Sequence, residues 1–462
     1  MKLLWFFCIV FFCFSFPLQV GMMSDKPALI PYLILFSIYL IKLTNPKKRK
    51  ITKSSGVISK FVLLYSLLVL GHFIWQVGFG VIELKEGLRV SFLFLAPVVI
   101  YDIFRTNVSL SEIKTIFVAI IVSGFCSGLF FVYDSISKLA FNRLTSYSIT
   151  AENYVNQKYK LDFGDDSHRE PSGRGVLNNR SSGLLETHAV SSTWIALATF
   201  AILSLLPNGR SKLRFCIILL SSLMIMIGLN FTSIVSFGLV LFLLEFKMIS
   251  LFSGEFSKKE VGRILSFCLL FFWGILLVFF SFPEPLMLFF KKNLTFQVSL
   301  AFSGTDVIKV SYIQSLFTAG FQKIVESVWK FPILLLVGEG FSSFGALKGG
   351  DLGYVDTFLR LGVLFSLILI FLLWKIIWNI YLFEKRQGFK DHFEEFRILK
   401  FVSFVLLFLA LMEMHYSVWH AKSILPVLFV ALGSYTRFYL ALKDGNLPGV
   451  LNKSRSQNWL YF

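Results

Sequence analysis

The chain has 462 residues, of which 56% are hydrophobic and only 16% are charged, with a mean hydropathy of +0.72. That composition lies outside the range of soluble globular domains and excludes an ordinary cytosolic enzyme. The net charge of +18 would suit a nucleic-acid partner, but basic residues also gather in the cytoplasmic loops of membrane proteins, so their placement decides the matter.

Apolar runs of about 17 to 25 residues, the length a helix needs to cross roughly 30 Å of hydrocarbon, recur along almost the whole chain. They predict an all-α polytopic membrane protein with about twelve transmembrane helices, at 3–20, 28–43, 61–82, 88–104, 115–133, 189–206, 215–229, 231–246, 264–282, 355–378, 398–414 and 423–441. The first run has the basic start of a secretory signal peptide but no A-x-A-like cleavage site, and a second run follows almost at once. It reads as an uncleaved span. Cys8, Cys13, Cys126, Cys216 and Cys268 all fall within these runs, which predicts neither a disulfide framework nor a metal cluster.

With Met1 inside, the short inner segments hold Lys42, Lys47, Lys48, Arg49, Lys50, Lys53, Lys60, Arg105, Lys114, Arg210, Lys212 and Arg214, with similar groups later. The short outer segments hold only Lys26, Lys85, Arg89 and Lys422. This asymmetry predicts both termini in the cytoplasm and accounts for the net charge without nucleic acid.

The result is one membrane domain: helices one to five over 1–133, a first large extracytoplasmic loop at 134–188, helices six to nine over 189–282, a second large loop at 283–354, helices ten to twelve over 355–441, and a cytoplasmic tail at 442–462. Loops of that length are usually functional or disordered. The first contains Arg169, Arg174 and Arg180 beside Gly173, Gly175 and Gly183, a combination suited to binding an anion. The second carries Ile313, Leu316, Phe317, Phe321, Ile324, Val328 and Trp329 at helical spacing before Pro332. That amphipathic helix could lie on the membrane surface or pack over the bundle.

Ionisable residues inside spans are few. Asp356 and Arg360 sit one turn apart at the outer end of the tenth span, either as a salt bridge closing the helix start or as a base and an anion contact. Glu413 and His415 lie at the outer end of the eleventh, and His420 follows. These histidines and His188 suit hydrogen-bonded interfacial positions as well as catalytic ones. Glu245, Lys375 and Arg437 lie near inner ends, where snorkelling to the interface explains them. No H-E-x-x-H, paired C-x-x-C, P-loop or G-x-S-x-G occurs, so nothing calls for a metal or any other cofactor.

Three segments carry a resemblance. Arg180-Ser181-Ser182-Gly183-Leu184-Leu185, leading into the span from Ala189, resembles the R-x-x-G segment of O-antigen ligases and Wzy-type polysaccharide polymerases. Leu336-Val337-Gly338-Glu339-Gly340-Phe341 resembles the family's G-x-G turn. Gly353 to Val363, with Asp356, Phe358-Leu359 and Gly362, resembles the polymerase segment in which an aspartate precedes an aromatic-leucine pair and a glycine. Glu186-Thr187-His188 stands where the family often has Asn-Pro-Asn, and Thr232-Ser233-Ile234 lacks the arginine of its Ser-Arg pair. Ligases typically carry a histidine in the second loop, and none lies between 283 and 354, which favours a polymerase.

The resemblance implies a glycosyl transfer on the outer face of the bacterial inner membrane, joining oligosaccharide repeats carried on a polyprenyl diphosphate. Arginines suit the diphosphate leaving group because guanidinium offers planar, bidentate donors. Arg180 is assigned first, then Arg174, Arg360 and Arg169. Asp356 is the first candidate for the base that accepts the acceptor hydroxyl proton, with Glu413, Glu339, His188 and His415 behind it. The lipid tail needs a lateral apolar groove, which a chain with 55 phenylalanines could line. A chain-length regulator and other polysaccharide-assembly proteins are possible partners. The alternatives are an O-antigen ligase transferring glycan to a lipid A-core acceptor, a flippase or transporter of the same lipid-linked units, and a non-catalytic envelope-assembly protein.

Overall fold

The computed structural model describes residues 1–24, 26–44, 57–80, 82–106, 108–141, 145–151, 153–154, 183–185, 187–206, 211–227, 231–245, 338, 353–387, 394–413, 418–419, 421 and 423–443. The amphipathic segment at 305–330 and the run at 264–282 lie outside them. Among the described residues the regular structure is helical throughout.

In chain order the helices are α1 (Lys2–Met22), α2 (Ile30–Leu43, after a 3₁₀ turn at Lys26–Leu29), α3 (Val57–Gly78), α4 (Leu84–Thr106) and α5 (Leu110–Phe141). There follow α6 (His188–Leu205), α7 (Ser211–Ile227), α8 (Phe231–Val240, continued by a π turn at Leu241–Glu245), α9 (Gly353–Leu361), α10 (Val363–Gln387), α11 (Glu394–Met412) and α12 (Leu425–Lys443). Among the described residues, seven helical stretches are long and apolar enough to cross a bilayer. The chain is a multi-pass all-α membrane protein.

Burial ranks the helices. The apolar window of α6 is 83% buried, against 33% for those of α2 and α3. Helix α6 lies inside the bundle, as do the similarly buried α11 and α12, and α2 and α3 turn Leu33, Phe36, Leu63, Leu67 and Ile74 outward. Around α6 the packing is aromatic: Phe200 stacks on Phe404 of α11 at 5.1 Å and meets Phe237 of α8 at 5.6 Å. Small residues let α5 come close. At Gly128 an added Cβ would fall 2.5 Å from Met224 Cε and 2.9 Å from Ile195 Cγ1.

Polar contacts identify the two ends of the bundle. At one end Lys42 pairs with Glu112 (2.9 Å), Arg105 donates to Ser59 (3.1 Å), and Arg214 and Lys400 both reach the Glu245 carboxylate (2.7 and 2.9 Å). Ser109 and Glu112 bond each other reciprocally at the start of α5, a capping box. Arg214 also donates to the Leu203 and Leu206 carbonyls, and Arg397 to that of Leu205, so cations satisfy the negative end of α6. The expectation that Glu245 snorkels to the interface is corrected: its side chain is 10% exposed and bonded to cations on two other helices.

Candidate functional site

The opposite end collects the sequence segments with chemical potential, beginning at α9. Nine residues, Gly353–Leu361, form this helix, and it stops at Gly362, whose φ of 82° favours glycine. The Gly362 N–H still bonds the Phe358 carbonyl (2.9 Å), and α10 starts at Val363. The Ser366 hydroxyl reaches back to the Gly362 carbonyl (2.7 Å) and the Thr357 carbonyl (3.1 Å) and so ties the two helices across the break; the Gly362 carbonyl also accepts the Ser366 N–H (3.1 Å). The sequence reads 355–378 as one span; two helices meeting at a glycine stand there instead.

Gly338, with φ of 69°, lies directly on this break. A Cβ added there would overlap the Arg360 carbonyl group and the Gly362 nitrogen. Gly338, the first glycine of the G-x-G stretch, and the end of the aspartate-to-glycine segment, separate in sequence, are thus in backbone contact.

Helix α9 is held against the end of α11 by a buried carboxylate. Glu413 is 0% exposed; its Oε1 accepts from the Thr357 hydroxyl (2.6 Å) and its Oε2 from the Trp419 backbone N–H (3.0 Å). The Tyr354 hydroxyl donates to the Ala410 carbonyl (2.6 Å), and its ring meets Trp419 edge-on at 5.6 Å. Burial, with the nearby Glu413 charge, pushes the Tyr354 phenol well above its ordinary value and keeps it a donor. Ser233, at the start of α8, donates to Met412 Sδ (3.5 Å), so the start of α8 converges here as well. Arg360 is buried at 8% exposure on the last turn of α9, one turn from Thr357.

The lead-in to α6 is built separately. Gly183, with φ of 61°, sits on Phe131 of α5, where a Cβ would come within 3.0 Å of Phe131 Cα. Leu185 is buried, and the Thr187 side chain caps α6 by accepting from Val190 N (3.2 Å). His188 follows, half-buried, as the first residue of the helix.

Of the predicted site residues, Asp356 falls within α9, next in the chain to Thr357, whose hydroxyl bonds Glu413, and Arg360 lies on the last turn of the same helix. His188 opens α6. Arg169, Arg174, Arg180, Glu339 and His415 lie outside the described residues, although Gly183 and Gly338, close to Arg180 and Glu339 in sequence, are placed. Sequence reasoning missed Thr357, Tyr354 and Trp419. Glu413, a candidate base by sequence, has both its oxygens engaged by neighbours. Nothing in hydropathy distinguishes Thr357; its position beside Asp356 was the available signal. In comparison with known proteins, the chain matches no family model and no curated protein.

Proposed function

We propose that this chain is a Wzy-type polysaccharide polymerase of about twelve transmembrane helices in the bacterial inner membrane, with both termini cytoplasmic. It joins polyprenyl-diphosphate-linked oligosaccharide repeats on the periplasmic face by metal-independent glycosyl transfer. The observation that carries this reading is the backbone contact of Gly338 with Arg360 and Gly362. Two of the three segments on which the resemblance rests meet there, at the end of the bundle opposite the basic one.

In this reading a hydroxyl of one lipid-linked repeat attacks the anomeric carbon of the growing chain. The bond from that carbon to the diphosphate breaks, and the diphosphate leaves with the electron pair. Arg180, with Arg174, Arg169 and Arg360, stabilises the charge that grows on the leaving group, the kind of interaction that supplies the largest share of catalysis in many enzymes. Asp356 takes the hydroxyl proton, with Glu339, His188 and His415 as the remaining candidates. Glu413, enclosed and doubly hydrogen-bonded, fixes α9 on α11 instead of exchanging protons with substrate.

Deleting the gene should leave single-repeat surface glycan, and wild-type protein but neither Arg180→Ala nor Asp356→Ala should restore long chains. Long chains persisting after deletion would exclude a polymerase. Long glycan accumulating on the polyprenyl carrier would instead identify a ligase.

A further inference from the structure

Helix α5 continues past 133, where its hydropathy ends, to Phe141, and thereby carries Asp134 into the bundle. Asp134 is 0% exposed, although it stands where the sequence predicts the start of a polar loop. Its Oδ1 accepts from the Thr145 hydroxyl (2.7 Å) and its Oδ2 from the Ser148 hydroxyl (2.8 Å). The Ser148 N–H in turn bonds the Thr145 hydroxyl (3.2 Å), as at a helix start, and residues 146–151 are helical.

This short helix touches three parts of the protein. Ala151 and Tyr154 bury themselves against Phe16 and Val20 at the end of α1. The Tyr147 ring packs edge-on against Phe130 at 5.6 Å. The Tyr147 hydroxyl donates to the Leu184 carbonyl (2.7 Å) in the turn that leads into α6. One buried carboxylate thus fixes the strap on α5, and one tyrosine fixes the far end of the same loop on the strap. Gly183 and Leu185, on either side of Leu184, are themselves seated on Phe131 and in the core.

We infer that Asp134 and Tyr147 are positioning residues: through the short helix at 146–151 they hold the turn at 183–185 in place, and with it the chain three residues beyond Arg180. The functional half of this inference rests on the polymerase reading, in which Arg180 contacts the diphosphate. The positional half does not.

The test separates the halves. Full-length protein in detergent, as wild type, Tyr147→Phe, Thr145→Val and Thr145→Ser, is treated with trypsin, and cleavage after Arg180 is followed by mass spectrometry. Tyr147→Phe loses one hydrogen bond, which loosens the local equilibrium about two- to tenfold, and Thr145→Val, which removes both the donor to the buried Asp134 carboxylate and the acceptor of the Ser148 N–H, loosens it at least as much. Cleavage after Arg180 should accelerate accordingly, while Thr145→Ser, which keeps the hydroxyl, cuts at the wild-type rate. Thermal midpoints within a few degrees of wild type show that the bundle is intact.

In a polymerisation assay with purified lipid-linked repeats, Tyr147→Phe should raise the donor KM several-fold and leave kcat nearly unchanged. Unchanged Arg180 cleavage in both loosened variants overturns the inference. Faster cleavage with no polymerisation by the wild type leaves the latch standing and removes the polymerase reading.

Discussion

Replacing Gly338 by alanine should damage the α9–α10 junction, and the size of the damage can be worked from two terms. The backbone at 338 has φ of 69°, a left-handed conformation that costs a residue with a Cβ about 1–2 kcal/mol. The new methyl would also overlap the Arg360 carbonyl and the Gly362 nitrogen. These are main-chain atoms that no rotamer change can move aside, and relieving such overpacking typically costs about 1–3 kcal/mol. Together they give a local destabilisation of about 2–5 kcal/mol, enough to separate Gly338 from α9 in a large share of molecules.

The matched control is Gly71→Ala in α3, where an added Cβ meets nothing within 4 Å and φ is helical. Helix propensity makes that change neutral or stabilising by up to about 1 kcal/mol. Thermal unfolding of detergent-solubilised protein should be compared at one scan rate, because membrane-protein unfolding is commonly irreversible. The midpoint of Gly338→Ala should fall by several degrees and that of Gly71→Ala should not fall. Equal midpoints would refute the contact on which the site is built.

Three other outcomes follow from the packing. Glu245→Ala leaves Arg214 and Lys400 without their shared carboxylate in a mostly buried setting; breaking such a group costs about 3–5 kcal/mol, so monodisperse protein should be largely lost on size exclusion. Glu413→Gln keeps an acceptor for Thr357 or Trp419 and should melt above Glu413→Ala, which strands both donors at about 1–3 kcal/mol each. Single cysteines at Lys48 and His415 in a cysteine-free background should react with impermeant thiol reagents from opposite sides of the inner membrane, His415→Cys from the periplasm. Labelling of both from one side would overturn the proposed orientation.

Much of the helical framework was legible because length and hydropathy are local properties. Helices α1 to α4, α6 to α8, α11 and α12 begin and end close to the limits their apolar runs suggest, whereas α5 runs on past 133 to Phe141. What escaped the sequence depends on contacts between distant residues. Gly362 breaks the tenth span because its φ is positive, and the Ser366 hydroxyl bridges the junction to the Gly362 and Thr357 carbonyls; a glycine in an apolar run carries no such label.

The site shows the same division. Asp356, Arg360 and Glu413 could be grouped by their common end of the bundle, from span parity alone. That Glu413 grips Thr357 and Trp419, and that Asp134 lies inside a helix and holds a strap, required knowing which side chains meet across 56, 6 and 14 positions. Glu245 was read as a snorkelling residue because its two cations come from other helices.

The central claim is tested most directly in a reconstituted system. Purified protein in proteoliposomes should be given polyprenyl-diphosphate-linked repeats from the host strain, with a chelator present and no nucleotide sugar. A ladder of lengthened glycan on the lipid carrier, absent with Arg180→Ala and with Asp356→Ala, is the predicted result. Repeats that remain single with the wild type, or a ladder that survives both substitutions, would contradict it.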